Sequence, residues 1–352
     1  MRMPAELIST INDYIMAHVN ENSTCIVSMT MDKFNITRPT VNKYIQHLIN
    51  NGYLEKTGTI KRPVYKSVKK RKLAKMIVVN KELEEDMVYR EYLLPLISNL
   101  PDNVRDIIQY GATEMINNVI EHSGSVEMFL IVEEAYNEIE IVIHDTGIGI
   151  FKKIQNDMGL ALPSHAVFEL SKGKFTSDPT RHTGEGIFFT SRMFDSFIIM
   201  SQGLFFSGHD GNDYLDDRQS EKLNEKGTWV IMDISKESKT NITDVFNQFS
   251  DPDNDPSFHK TIISVKLMQF EGEALMSRSQ ARRLLVRVDH FKEAVLNFED
   301  VVIIGQAFAD EIFRVFQNAH PEIILFPINT NPDVERMIQH VKKTKLQKNL
   351  DD

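Results

Sequence analysis

Apolar residues in the first fifty positions recur at helical spacing. Residues Glu6 to Val19 read as a first helix, followed by a short polar connection. Val41, Ile45, Leu48 and Ile49 then repeat at i, i+4, i+7 and i+8, the mark of a helix with one buried face. Thr37 stands at its N-cap and Pro39 in its first turn, where a missing N–H costs nothing, and Gly52 ends it. That stripe leaves Arg38, Asn42, Lys43, Gln46 and His47 on the opposite face. Beyond Gly52, "YLEK" and "RPVYKSV" flank the turn "TGTI" and predict a two-stranded hairpin.

From Lys81 to Ser123 the pattern is helical again, with Ile108, Ala112, Met115, Ile116 and Val119 as its buried stripe near the end. Glu114, Asn118 and His122 lie four residues apart on another face, which puts a carboxylate and an amide oxygen in the same space. Alternation then predicts strands in "SVEMFLIVEE" and "EIEIVIHD", the second running into "DTGIGI". After a polar stretch, "HTGEGIFFTSRMFDSF" opens a helix at Gly184 and Gly186, and "KGTWVIMDI" closes the region as a strand. Past the linker "SDPDNDPS" strands and helices alternate: "KTIISVKLM", "SRSQARRLLVRVDHF", "AVLNFEDVVIIG", "QAFADEIFRVFQNA", "EIILFPIN" and "PDVERMIQHVKK" predict an α/β sandwich.

The middle region carries the chemistry. An Asn oxygen completes the octahedron of a Mg²⁺ ion that keeps several waters and borrows phosphate oxygens, and a neighbouring carboxylate polarises an attacking water. Asp145, at the end of a buried strand, can accept a hydrogen bond from an exocyclic amine, and Gly147 and Gly149 remove the Cβ atoms that would hold a flat base away. A helix opening at Gly184 and Gly186 offers free N–H groups to phosphate oxygens. No GxxxxGK[ST] loop is present, and "DTGIGIFK" lacks the third glycine of a dinucleotide fingerprint. His122 and His144 come without a cysteine pair or HExxH spacing, which disfavours zinc. Asn117 finds no role beyond packing beside this site.

These stretches, in this order, resemble the GHKL or Bergerat-fold ATPases over about Lys81 to Ile234. The resemblance implies Glu114 as general base, Asn118 as Mg²⁺ ligand and Asp145 as the contact to the adenine amino group. It further implies Gly147 and Gly149 beneath the base, Gly184 and Gly186 on phosphates, and Gly227 and Thr228 closing the adenine side. The stretch Lys172 to Thr183 would be the ATP lid, with Lys174, Thr176 and Arg181 reaching phosphate oxygens. The N-terminal segment resembles the winged helix-turn-helix regulators, which implies major-groove entry by the Arg38 to His47 face and phosphate contacts from Lys56, Lys61, Arg62 and Lys66. "NFEDVVIIGQAFADEIFRVF" resembles a STAS-like domain, and "SRSQARRLL" a variant fused behind GHKL domains. In anti-anti-sigma factors a serine opens the helix after the central strand; Gly305, Gln306 and Ala307 stand there, and no Ser, Thr or Tyr occurs between Ser279 and Thr330. Ser277 and Ser279 read as helix caps, and Lys69 to Lys75 as a solvated linker.

Charge separates the ends of the chain. The first 75 residues carry thirteen Lys and Arg against five Asp and Glu, whereas the whole chain of 352 residues has a net charge of −10. Only the N-terminal lobe is suited to a polyanion. One cysteine, Cys25, excludes an intrachain disulfide and fits a reducing compartment, and no apolar run reaches the length of a membrane span. The expectation is a cytoplasmic, multidomain α/β protein: a winged helix (1–70), a GHKL α/β sandwich (76–236) and a STAS-like α/β sandwich (240–345). It would bind ATP and Mg²⁺, hydrolyse slowly, and couple this to duplex DNA and to a protein partner or self-association, with no membrane contact. A protein serine kinase of the anti-sigma type and a non-hydrolysing ATP-sensing transcription regulator are the alternatives.

Overall fold

The computed structural model describes residues 5–174, 184–208, 214–215, 226–250, 257–269 and 274–351. The architecture is mixed α/β with several sheets, and the chain divides into two compact units, Met1–Lys75 with Ile131–Ile141, and Met76–Leu130 with Val142–Asp352.

In the first unit α1 (Ala5–His18), α2 (Ile26–Phe34) and α3 (Arg38–Asn50) pack on one another. Helix α2 lies where the sequence pattern left a connection. Its Thr30 is buried because the hydroxyl donates to the Ile26 carbonyl one turn back at 2.7 Å, so a polar residue takes a core position. Ile11, Ile15, Val19, Ile26, Val41, Ile45 and Leu48 form the shared core. Gly52, at φ +68°, turns the chain into β1 (Leu54–Gly58), which pairs antiparallel with β2 (Pro63–Ser67) from Leu54↔Ser67 to Gly58↔Pro63.

The basic run expected as a linker instead begins strand β3 (Lys70–Val78). Lys69 binds Glu140 at 2.7 Å and Glu138 at 3.2 Å, Arg71 binds Glu133 at 2.9 Å, and Lys72 binds Glu134 at 2.6 Å. Exposed pairs of this kind add only about 0–1 kcal/mol each. Their larger effect is to offset three of the run's five cations, while Arg38 and Lys43 on α3 and Lys61 and Arg62 at the hairpin stay exposed.

A seven-stranded sheet has the order β3-β4-β5-β9-β6-β7-β8, with β4 (Glu127–Glu134), β5 (Glu138–Asp145), β6 (Ser196–Ser201), β7 (Leu204–Gly208), β8 (Tyr214–Leu215) and β9 (Thr228–Ser235). Buried and half-buried residues alternate strictly along β9, as they must in a sheet with one face on the core. Short α4 (Glu85–Val88) and α5 (Leu94–Ile97) flank a π turn and lead into α6 (Asp102–Asn118), which buries Val104, Ile107, Ile108, Ala112, Met115 and Ile116. A second π turn, Val119–Ser123, extends α6 to Gly124. Two helices occupy what the pattern left as a polar stretch, α7 (Ile150–Met158) and α8 (Pro163–Ser171). Then come α9 (Gly186–Met193) and, after β9, α10 (Ile242–Phe249).

The C-terminal part is a three-stranded parallel sheet, β10 (Lys260–Ser264), β11 (Glu293–Asn297) and β12 (Ile324–Ile328), with β11 in the centre. Strand β11 stops earlier than "AVLNFEDVVIIG" suggests, and Ile304 returns only as an isolated bridge to Leu275. Helix α11 (Arg278–Leu285) opens on a capping box, with the Ser277 hydroxyl accepting the Gln280 N–H at 3.2 Å. Helices α12 (Gln306–Asp310) and α13 (Gln317–Ala319), joined by a π turn, precede α14 (Pro332–Asp351).

Helix α8 ties this sandwich to the larger sheet. Phe168 belongs to the sandwich core with Leu267, Leu284 and Leu285, and Lys172 just beyond the helix is 0% exposed. Its ammonium donates to Glu169 at 2.7 Å and to the Val286 carbonyl at 2.8 Å, while its own carbonyl accepts the Thr261 hydroxyl at 2.7 Å. Burial holds the lysine pKa down to about 8, against the pull of Glu169. Removing one member of a buried pair strands the other, so Lys172→Ala is expected to destabilise this unit by about 3–5 kcal/mol. Urea unfolding checks it; a midpoint equal to that of the wild type would show the pair to be dispensable.

Candidate functional site

Helix α6 presents Tyr110, Glu114, Asn117 and Asn118 along one face because residues four and seven or eight apart share a side. The π turn that follows adds His122 to the same cavity. Such wide turns recur at functional sites, since they re-aim side chains that a regular helix would turn away. The cavity measures about 430 Å³, and Met115, Ile143, Ile154, Leu170, Phe188 and Val230 supply its apolar wall.

Asp145 ends β5 with its side chain at the cavity and only 3% exposed. Burial raises its pKa, opposed by hydrogen bonds from the Gly147 N–H and from Thr228. The Gly147 N–H reaches Oδ1 at 2.8 Å. The carboxylate therefore has donors within the protein, and an ionised carboxylate, with about four acceptor positions, keeps room for a further one. Thr228 also fixes the next turn, its hydroxyl accepting the Ile150 N–H at 3.0 Å. Gly227 brings β9 this close: at φ +92° it passes Asp145 so tightly that a Cβ would fall 1.8 Å from the Asp145 carbonyl oxygen.

Across the cavity, α9 opens at Gly186, where a Cβ would come within 2.0 Å of Glu114 Oε2. The Glu114 carboxylate thus lies against the first turn of α9, the end at which helix N–H groups favour negative charge. Burial pushes the Tyr110 phenol well above its ordinary pKa, with Glu114 and Glu185 adding to the effect. Lys153, one turn into α7, lines the cavity and pairs with Asp157 at 3.0 Å.

Of the residues singled out from sequence, Glu114, Asn118, Asp145, Gly149, Gly184, Gly186 and Thr228 line one cavity, and Gly147 stands one step behind Asp145. Asn117 lines it too. Lys174 is placed elsewhere: its ammonium donates to the His290 carbonyl at 3.1 Å and sits over the Phe291 ring. Gly173 at φ +80° and Lys174 at φ +52° turn the chain here, and the carbonyl that receives the ammonium comes from the C-terminal sandwich, 116 residues away. Thr176 and Arg181 lie outside the described residues. In the first unit Arg38, Asn42 and Lys43 are exposed on α3, and Lys61 and Arg62 are exposed at the hairpin turn.

Among the described residues no group of three or more His, Cys, Asp or Glu side chains could hold a metal. A cation at Asn118 would therefore take most of its ligands from phosphate and water, the habit of Mg²⁺. No helix among the described residues is long and apolar enough to cross a membrane.

A family model described as a STAS-like domain of unknown function (DUF4325) matches residues 280–335, from the first turn of α11 to the start of α14. No curated protein and no solved structure matches the chain.

Proposed function

We propose that the chain is an ATP-dependent regulatory switch: a GHKL nucleotide domain, preceded by a DNA-binding winged helix and followed by the STAS-like region. The observation that carries the reading is the convergence of Glu114, Asn118, Asp145, Gly186 and Thr228, from four separate elements, on one cavity of about 430 Å³. That volume falls within the range of about 300–1,000 Å³ usual for cofactor sites, with the same pattern of apolar wall and few polar groups.

In this reading Asp145 accepts the adenine amine, with Thr228 and the Gly147 N–H holding its carboxylate in place. The glycines at 147, 149 and 227 let the backbone close up around Asp145, since a Cβ at each would strike Ser123, Ser201 or the Asp145 carbonyl. They act by positioning the carboxylate rather than by clearing space for a base. Asn118 supplies an oxygen to magnesium, and the first turn of α9 receives phosphate oxygens. Bound Mg-ATP supplies an activated terminal phosphate. Glu114 accepts a proton from the attacking water, and because it lies against the α9 turn, a phosphate there competes with it for the same positive end. Binding and activation of the base are linked in this way. Transfer to a protein hydroxyl needs the same groups, so the fate of the terminal phosphate separates an ATPase from a kinase. The exposed α3 face and the Lys61–Arg62 turn serve duplex DNA, and the STAS-like region serves a protein partner.

Asp145→Asn is expected to lose most of the affinity for Mg-ATP in calorimetry. In the wild type the affinity should hold at neutral pH and fall as pH drops through the carboxyl's pKa, which burial has raised above 3.8, because the ionised carboxylate is the stronger acceptor for the amine. An unchanged affinity in the variant would remove the adenine contact from the scheme. Glu114→Ala should keep Mg-ATP binding and lower phosphate release by about 10²–10⁴-fold, the usual contribution of a general base; undiminished release would exclude Glu114 from the chemistry. Reversing Lys61 and Arg62 to Glu should weaken duplex binding and flatten its salt dependence by about one unit per lost phosphate contact, as read from affinity against salt. A variant that keeps the wild-type slope would assign this turn to a protein partner.

A further inference from the structure

The wall of the cavity and the joint to the STAS-like region share their side chains. Leu170 and Phe188 line the cavity. Phe188 packs on Phe258 with ring centroids 4.7 Å apart, and Phe258 packs on Phe291 at 5.3 Å. Gly173 is pinched between the first two: a Cβ there would lie 2.9 Å from Phe258 Cε1 and 3.0 Å from Phe188 Cδ2. Its carbonyl accepts a hydrogen bond from Arg287 Nη2 at 3.3 Å, and the same nitrogen donates to the Lys174 carbonyl. Arg287 also lies 3.9 Å from Glu169, which itself binds the buried Lys172.

Two of the residues in this contact, Lys174 and Arg287, are non-glycine residues at positive φ, +52° and +62°. Such conformations are unfavourable for residues with a Cβ and persist only where surrounding contacts over-determine them. The Arg287 guanidinium is the group that holds this turn, because one of its nitrogens donates to two successive carbonyls while the other faces Glu169. From the cavity to α11 the chain of contacts is unbroken: Phe188, Gly173, Phe258 and Lys174, Arg287.

We propose that Arg287 is a positioning residue through which the STAS-like region sets the affinity of the cavity for its nucleotide. The proposal rests on the nucleotide reading of the cavity. Holding the Gly173 and Lys174 carbonyls fixes Gly173 against Phe188, and with it the wall that a ligand meets. Coupling of this kind is reciprocal, so ligand in the cavity must in turn tighten the STAS-like region around Arg287.

The test uses the full chain with Mg-ATP. Arg287→Met removes the donors at similar length, Arg287→Gly removes them while accepting the positive φ, and Arg287→Lys restores one. Calorimetry should show Mg-ATP weakened by about 5–150-fold in the Met and Gly variants, the usual size of a coupling, and less in Lys. Hydrogen exchange should slow over residues 278–298 when Mg-ATP binds the wild type and stay unchanged in the Met and Gly variants. Variants that bind as tightly as wild type and keep the ATP-linked protection overturn the proposal. So does a variant whose thermal midpoint falls while that protection persists, since Arg287 is then only a brace. Failure of the wild type to bind Mg-ATP overturns the nucleotide reading itself and the coupling with it, a result distinct from the other two.

Discussion

An ammonium taken fully out of water has to be given oxygens, and where Lys172 finds them decides how the second unit is joined. Glu169 supplies one from the helix behind it, and the carbonyl of Val286 supplies another from more than a hundred residues further along the chain. Those two ligands cannot be replaced by solvent at that depth, so the end of α8 and the end of α11 are held at one distance. Everything between the cavity and the STAS-like region inherits that distance. Leu170 on one side of α8 meets the cavity, Phe168 on the other meets the sandwich core, and neither can shift alone.

Much of this was legible in the chain. The end of β5 could be read because alternation in "EIEIVIHD" runs straight into a glycine turn, and the Glu114 and Asn118 face could be read because four-residue spacing survives in any helix. Lys172 and Lys174 show the limit. In sequence both belong to the same "KGK", two residues apart, yet one is buried against Glu169 and the other caps the His290 carbonyl. Their difference is set by carbonyls distant in the chain, which no local pattern carries. Helix α2 was hidden by Thr30, a polar letter doing the work of a core residue once its hydroxyl is satisfied within the helix. Helices α7 and α8 were diluted by the polar residues Lys152, Gln155, Asn156 and Asp157 on the outer face of α7, although Phe151 and Ile154 form its buried stripe.

Charge gives a second instance. In sequence the run Lys69 to Lys75 reads as a solvated linker, although it holds five of the lobe's thirteen cations. Folding places Glu133, Glu134, Glu138 and Glu140 within the same unit, and three of the run's cations pair with them. Two of those acids lie on β4 and two on β5, so the strand identity of β3 was encoded in a hairpin more than fifty residues away. The balance of the lobe therefore falls to α3 and the β1–β2 turn, a smaller and better-defined surface than composition alone suggested.

The span from Gln280 to Asn329 has no hydroxyl side chain, and it coincides with almost all of the STAS-like match. A region of that composition offers no serine, threonine or tyrosine to a phosphate. On the proposed switch reading, a signal would cross this part through packing contacts such as those around Arg287, with no hydroxyl phosphate for a phosphatase to clear.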